Sequence, residues 1–247
     1  MGASAARKTL WVELGIEGYL EIWDLQRELW ELRISREIPD VVLVVEHLPC
    51  ITWGGGARPE HILAEQYELD QAGIPVHGTD RGGGVSYHGP GQVVIYPILD
   101  LGDYGRDVHV HVRRLEEVMI RVSAAAGLHA FRDPAFPGIW GAGGKLGAVG
   151  VSVRRWVTMH GAALNVCPCM AHFELIVPCG ITHRPVTSLE KMLEHPVSVD
   201  VVRRQMRDAF CDVFGGLLED VEAGDVYAYR EDGVVEKTAH GMAAQGI

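Results

Sequence analysis

The sequence lacks a long run of uninterrupted apolar residues, although 47% of its 247 residues are hydrophobic. A membrane-spanning helix needs about 18 or more such residues, and residues 1–7 lack the apolar stretch of a secretory signal. These absences argue against a membrane protein and predict a protein of the cytoplasm. The length and the apolar fraction are sufficient for one large domain with a substantial core.

Cysteine and positive charge are scarce as well. Five cysteines are an odd number and few for this length, so we expect a reduced compartment with at least one thiol free for chemistry, not a disulfide framework. The formal net charge is −11. This value argues against binding to nucleic acid, which normally requires a basic surface.

The spacing of apolar residues predicts helices over residues 18–33 and 107–128, and a third helix that begins at Ser198. Val202, Met206, Phe210, Val213 and Leu217 form the apolar side of the third helix. Residues 41–45, 93–99, 147–154 and 157–166 have the composition of strands, and the last two suggest an antiparallel pair. Helices and strands do not alternate strictly, so the predicted fold class is α+β, a mixed sheet flanked by helices. Residues 1–230 are expected to form a single domain, and residues 231–247 a mobile tail.

Residues 81–92 read RGGGVSYHGPGQ. Glycines permit close approach of the backbone, so N–H groups here, together with Arg81, could hold a carbonyl, a carboxylate or a phosphate. A glycine-rich turn between strands is the ordinary alternative. The segment is not a dinucleotide fingerprint, because Tyr87 stands where the third glycine belongs. The later GAGGKL lacks the first glycine and the hydroxyl residue of a Walker loop.

A second unusual segment, residues 173–189, reads FELIVPCGITHRPVTSL. Cys179 follows an apolar run and Pro178 and precedes Gly180, which suggests an exposed cysteine at the end of a strand. Considered alone, a buried and inert cysteine is the more common situation.

Several segments together resemble the lipoyl(octanoyl) transferase family. They are RGGGVSYHGPGQ, GIW followed by Lys145, HGAALNV at residues 160–166, IVPCGI at residues 176–181, and EHLPCITWG at residues 46–54. The resemblance covers roughly residues 10–190 and implies a fold shared with biotin and lipoate protein ligases. Departures are Ser86 in place of threonine, Trp53 in place of leucine, and Cys169 at a position that is often acidic.

The resemblance implies a catalytic pair of Cys179 and Lys145, with His160 as a candidate supporting residue. It also implies an acyl site made of Arg81, Gly82, Gly83, Gly84, Val85, Ser86, Tyr87, His88, Ala148, Val149, Gly150, Gly161, Ala162 and Ala163.

The implied reaction moves an octanoyl group from acyl carrier protein to a lysine of a lipoyl domain, through a thioester on Cys179. Only a few per cent of an ordinary thiol is ionised at pH 7, so a cation such as Lys145 would raise the reactive fraction. The implied acceptors are lipoyl domains of 2-oxoacid dehydrogenases and the glycine cleavage H protein. No cofactor, ATP, metal, nucleic acid or membrane is expected, and the predicted state is a monomer.

Other interpretations remain open from the sequence. Cys167, Cys169 and His172 could ligate zinc with His160, although this spacing is unusual for such a site. His88 or His160 could serve Cys179 as a base, as in a thioesterase. An ATP-dependent ligase of the same fold would not need Cys179, and an acyl-binding protein without activity would bury it. Candidate contacts to acidic partner proteins are Arg113, Arg114, Arg154, Arg155, Arg203 and Arg204.

Overall fold

The computed structural model describes residues 7–181 and 184–229, apart from the side chain of Cys179. The predicted tail, residues 231–247, lies outside the described residues. None of the helices in this part of the chain is long and apolar enough to cross a membrane.

The helices predicted from apolar spacing are confirmed. The helices whose bounds lie within the described residues are α1 (Tyr19–Ile34), α2 (Gln66–Ala72), α3 (Val108–Ala125), α4 (Leu189–Leu193) and α5 (Val199–Phe214). Asp107 caps α3, where its side chain accepts the N–H groups of His109 and Val110, and Ser198 caps α5. The placement of Leu217 on the third helix was wrong. Gly215 and Gly216 have positive φ and end α5, and Leu217 begins a strand.

The strands form one large mixed sheet and one small sheet. They are β1 (Lys8–Glu17), β2 (Asp40–His47), β3 (Cys50–Trp53), β4 (Val76–Gly78), β5 (Val85–His88), β6 (Gln92–Ile98), β7 (Phe131–Arg132), β8 (Ile139–Gly141), β9 (Gly144–Arg154), β10 (Val157–Asn165) and β11 (Leu217–Asp220). The large sheet has the order β11-β1-β2-β6-β10-β9-β8-β7, and the small sheet has the order β4-β3-β5. In the large sheet β1 is parallel to its neighbours β2 and β11. The other neighbouring strands, in the order β2-β6-β10-β9-β8-β7, are antiparallel to each other. The predicted α+β class is therefore confirmed.

The two faces of the large sheet carry separate cores. One face packs against α3 and α5 through residues such as Met119, Leu164 and Phe210. The other face packs against α1 through residues such as Leu25 and Val45. The small sheet has its own apolar core, which includes Ile51, Leu69, Val85, Tyr87 and Ile176. The small sheet and α1 both lie near the part of the large sheet where β6, β10 and β9 meet, and this arrangement leaves a pocket.

Candidate active site

A pocket, here called the sheet pocket, lies over β6, β9 and β10. Its empty volume is about 470 Å³, including its opening to solvent. The predicted residues that line it are Arg81, Gly83, Ser86, His88, Ala148, Val149, Gly150, His160, Gly161, Ala162 and Ala163. The fold thus brings together residues from three separate motifs.

The remaining predicted acyl-site residues do not line the sheet pocket, and strand alternation explains two of them. Successive side chains of a strand point to opposite faces. On β5, Ser86 and His88 border the pocket, whereas Val85 and Tyr87 enter the core of the small sheet. Gly82 and Gly84 instead hold the glycine loop in place. The N–H of Gly82 donates to the Val151 carbonyl at 3.1 Å, and the Gly84 carbonyl accepts the N–H of Gly54 at 3.2 Å.

Arg81 fastens the glycine loop to the small sheet. Its guanidinium donates to the carbonyl oxygen of Thr52 at 2.9 Å and to the hydroxyl oxygen of Thr52 at 2.8 Å. Gly54 has no room for a side chain, because a Cβ there would lie 2.5 Å from the Gly83 carbonyl oxygen. Of the segment predicted as one loop, residues 81–84 form the glycine loop and residues 85–88 form β5.

Lys145 is buried at the start of β9, with 6% of its surface exposed. Its Nζ lies 5.5 Å from the centre of the Trp140 ring. The backbone of Lys145 bonds to the chain that follows Cys179: its N–H donates to the Pro185 carbonyl at 2.8 Å, and its carbonyl accepts the Thr187 N–H at 2.9 Å. These bonds hold residues 185–187 beside the lysine.

A smaller cavity, here called the lysine cavity, joins Lys145 to the segment of Cys179. It is bordered by Lys145 and by Pro178, which directly precedes Cys179. It shares Ser86, Ala148 and Ala163 with the sheet pocket. Cys179, the predicted nucleophile, therefore lies in a turn next to the cavity that Lys145 borders.

The expectation of a strand before Cys179 was wrong. Residues 170–175 and 178–180 form short 3-10 turns, and Ile176 makes only an isolated bridge to Ile62. Gly180 has a φ of +72°, and a Cβ there would lie 2.9 Å from the His61 ring. Pro178 and this conformation of Gly180 end any regular strand. The His61 ring lies against Gly180, the residue after Cys179, and no motif in the sequence indicated this contact.

A hydrogen-bond network connects the glycine loop with the lysine segment. His88 Nδ1 lies 3.1 Å from the side-chain oxygen of Gln92, and Gln92 donates to Asn165 at 2.9 Å. Asn165 in turn donates to the Thr187 carbonyl at 2.9 Å. Burial lowers the pKa of His88 well below its ordinary value, so its ring is neutral at pH 7.

His160 lines the sheet pocket from β10 in an unusual backbone conformation, with a φ of +59°. Its Nε2 lies 2.7 Å from the Asp80 carboxylate, and its backbone N–H donates to Gln26 of α1 at 3.0 Å. Burial lowers the pKa of His160, and the hydrogen bond from His160 lowers the pKa of Asp80. The pair fixes the orientation of the ring.

Three further residues line the sheet pocket that the sequence analysis missed: Tyr19, Val94 and Tyr96. Val94 and Tyr96 are two positions apart on β6 and share a face, so alternation along a strand was the available signal. Tyr19 had no comparable signal, because the start of α1 reaches the pocket only through the tertiary fold.

Other cysteines differ in their surroundings. Burial raises the pKa of Cys50 to about 12, so this thiol is unreactive at neutral pH. Cys167 is half-buried and Cys169 is exposed. In the described residues no group of three histidine, cysteine or acidic side chains is placed to hold a metal ion. His172, considered above as a zinc ligand, instead lies 2.7 Å from the Tyr87 hydroxyl through Nδ1.

Comparison with known proteins agrees with this geometry. Residues 18–211 match the family model described as the lipoyl protein ligase A/B catalytic domain. The chain is 47% identical to an octanoyltransferase of Gloeobacter violaceus over 84% of this chain and 91% of that one. It is 42% identical to an octanoyltransferase of Caldicellulosiruptor saccharolyticus over 84% and 89% of the two chains.

Solved structures show the same fold at low identity. A crystal structure of lipoate-protein ligase A bound with ATP has a TM-score of 0.65 and 17% identity, and covers 92% of this chain and 94% of its own. A bipartite lipoate protein ligase from Thermoplasma acidophilum has a TM-score of 0.67 and 16% identity, with 93% and 92% covered. The extent of the sequence matches shows that this chain belongs to the lipoyl protein ligase A/B catalytic domain family.

Proposed function

We propose that this protein is an octanoyltransferase of protein lipoylation, which moves an octanoyl group from acyl carrier protein to a lysine of a lipoyl domain through a thioester on Cys179. One observation carries the mechanism. The sheet pocket shares the small residues Ser86, Ala148 and Ala163 with the lysine cavity, and that cavity is bordered by Lys145 and by the residue before Cys179. The named octanoyltransferases at 42–47% identity support the reaction class.

The first step moves the acyl group to the enzyme. The thiolate of Cys179 attacks the carbonyl carbon of the donor thioester, a C–S bond to Cys179 forms, and the C–S bond to the carrier breaks. Lys145 accepts the Cys179 proton and then returns it to the departing carrier thiol. One thioester replaces another, so this step is nearly neutral in free energy.

The second step delivers the acyl group. The amine of the acceptor lysine attacks the Cys179 thioester, a C–N bond forms, the C–S bond breaks, and Lys145 removes the proton that the amine loses. An amide replaces a thioester, which is downhill and requires no ATP. Burial of six methylenes at about 0.8 kcal/mol each would contribute roughly 5 kcal/mol to holding the acyl group.

The donor and acceptors proposed here are acyl carrier protein, lipoyl domains of 2-oxoacid dehydrogenases and the H protein. Several arginines considered for docking them already pair with acids of this chain: Arg113 with Glu116, Arg154 with Glu31, and Arg203 with Asp200. Paired arginines offer a weaker positive field to an acidic partner. Arg155 and Arg204 make no ion pair within the described residues, which favours them as docking candidates.

The test is intact-mass spectrometry after incubation with octanoyl-acyl carrier protein in the absence of ATP. We expect a hydroxylamine-labile octanoyl adduct on the wild type. Cys169→Ser, which removes an exposed thiol outside the proposed pair, should keep the adduct. Cys179→Ala should lose it, and Lys145→Ala should form it far more slowly.

The opposite results would reject the proposal. A Cys179→Ala enzyme that still modifies lipoyl domains would show that Cys179 is not the nucleophile. Modification only with free octanoic acid and ATP would identify a ligase. An adduct that is lost to water as octanoate but never passes to a lipoyl domain would identify a thioesterase, and the absence of any adduct or transfer would favour an acyl-binding protein.

A further inference from the structure

We infer that Tyr19, Tyr96 and His160 form a fixed end wall of the sheet pocket and thereby set the length of the acyl chain that the enzyme transfers. This inference rests on the proposed function, because it assumes that the acyl chain starts beside Lys145 and Cys179. It assigns specificity to two tyrosines that belong to none of the motifs that identify the family.

The lining of the sheet pocket divides into two sets of residues. Ser86, Ala148 and Ala163 also line the lysine cavity. Tyr19, Tyr96 and His160 line the sheet pocket but not the lysine cavity. An acyl chain attached near Lys145 would therefore enter between small residues and point toward three large rings.

The strand register places the end wall relative to the chemistry. Ala148 pairs with Ala163, and Gly150 pairs with Gly161 two positions further along β9. On β6, Ile95 pairs with Ala162, so the next residue, Tyr96, lies beside Gly161. Tyr96 therefore lies at the level of Gly150. His160 lies one residue further from Ala163 along β10, at the level of Val151.

The distance matches a medium-length chain. A Cβ at Gly138 would lie 3.2 Å from Lys145 Cε and 3.3 Å from Ala148 Cα, so the lysine side chain reaches the level of Ala148. From Ala148 to Gly150 is about 7 Å at about 3.3 Å per strand residue. An extended chain of eight carbons spans about 9 Å with C–C bonds of about 1.5 Å. Its methyl end would thus meet Tyr96 and His160.

The wall is held rigidly from behind. The Tyr19 ring stacks with the rings of His77 and His88, at centroid distances of 5.8 Å and 6.0 Å. The Tyr96 hydroxyl lies 2.7 Å from His47 Nε2, and Tyr96 is 4% exposed. His160 is held by Asp80 and Gln26 as described above. Because Tyr19, Tyr96 and His160 are each at most 4% exposed, a longer chain cannot push them aside without breaking several contacts.

The test compares donors that carry hexanoyl, octanoyl, decanoyl and dodecanoyl groups. Tyr96→Leu and Tyr19→Leu should each lower the ratio of octanoyl to dodecanoyl kcat/KM by at least about tenfold, since methylene discrimination in apolar pockets has this size. Tyr96→Phe, which keeps the ring, should retain the wild-type ratio. Tyr104→Leu, a buried tyrosine of the opposite core, controls for loss of packing and should retain it as well.

Direct binding separates this inference from the proposed function. Titration calorimetry with free octanoate and dodecanoate measures the pocket length without requiring transfer, and the thermal midpoint of each variant shows that it is folded. A shift toward dodecanoate in either leucine variant supports the wall even if no thioester forms. Unchanged chain preference in a folded Tyr19→Leu or Tyr96→Leu protein, in transfer and in binding, would overturn the inference.

Discussion

The two faces of β9 and β10 contrast in the size of their side chains. Toward α3 and α5, these strands present Leu164, Val151 and other large apolar residues to a continuous core. Toward the small sheet they present Ala148, Gly150 and Gly161, which line the sheet pocket. The same two strands thus fill one side with side chains and leave the other side open.

This difference shows how one pair of strands serves stability and binding at once. Burial of large side chains on one face supplies hydrophobic free energy. The small residues on the other face contribute little burial of their own but leave space for an apolar chain. Changes on the two faces should therefore affect different properties of the protein, and the following predictions test that separation from the largest effect to the smallest.

Leu164→Ala should have the largest effect, on stability. Leu164 is fully buried on the α3 face, and such truncations lower the free energy of unfolding by about 2–5 kcal/mol. Urea unfolding would measure this loss. Transfer per folded molecule at low temperature should remain near the wild-type rate. A strong loss of the transfer rate in a fully folded Leu164→Ala protein would mean that the two faces are not independent.

Ala148→Val should mainly impair transfer. Two additional carbons at the junction of the sheet pocket and the lysine cavity would crowd the acyl chain, and overpacking costs about 1–3 kcal/mol. This corresponds to a loss of roughly fivefold to 150-fold in octanoyl kcat/KM. Val151→Ile, on the same strand but toward α3, is the matched control. Equal losses of activity in the two variants would contradict the separation of the faces.

Acid sensitivity should follow buried histidines on both faces. Burial lowers the pKa of His111, on the α3 face, from 6.5 to about 4, and that of His47, on the other face, to about 4. Because the unfolded state binds protons at higher pH, this contribution to stability is complete above pH 6.5 and is lost as pH falls toward 4.

Substitution of His111 measures how much the α3 face contributes to the pH dependence of the free energy of unfolding. His111→Phe should reduce the slope of unfolding free energy against pH by up to about 1.4 kcal/mol per unit between pH 6.5 and 4. Denaturant unfolding across this range gives the slope. The residual slope should come from His47 and the other buried histidines, and an unchanged slope would show that His111 does not control acid unfolding.

Local patterns predicted much of the fold. The apolar spacing of α1, α3 and α5 and the start of α5 at Ser198 were visible in the sequence, because helix formation depends on nearby residues. The parallel pairing of β1 with β11 was not, since β11 lies about 200 positions later and only the tertiary fold brings the two together.

The candidate site divides in the same way. Family motifs indicated Arg81, Ser86 and His88, and strand alternation explains why Tyr87 turns away from the pocket. The sequence did not indicate Tyr19 as a pocket residue, because its position in the pocket depends on contacts with His77 and His88 that only the tertiary fold creates. The supposed strand before Cys179 was wrong because short-range apolar content does not distinguish a strand from a series of 3-10 turns.

The most direct test of the central claim is a chase experiment on isolated octanoyl-enzyme. The enzyme is loaded with octanoyl-acyl carrier protein, freed of donor, and mixed with a lipoyl domain without ATP, and both proteins are followed by intact mass. The account predicts that octanoyl leaves Cys179 and appears on the lipoyl domain at least as fast as steady-state turnover. An adduct that remains on the enzyme while fresh donor still supports transfer would contradict it.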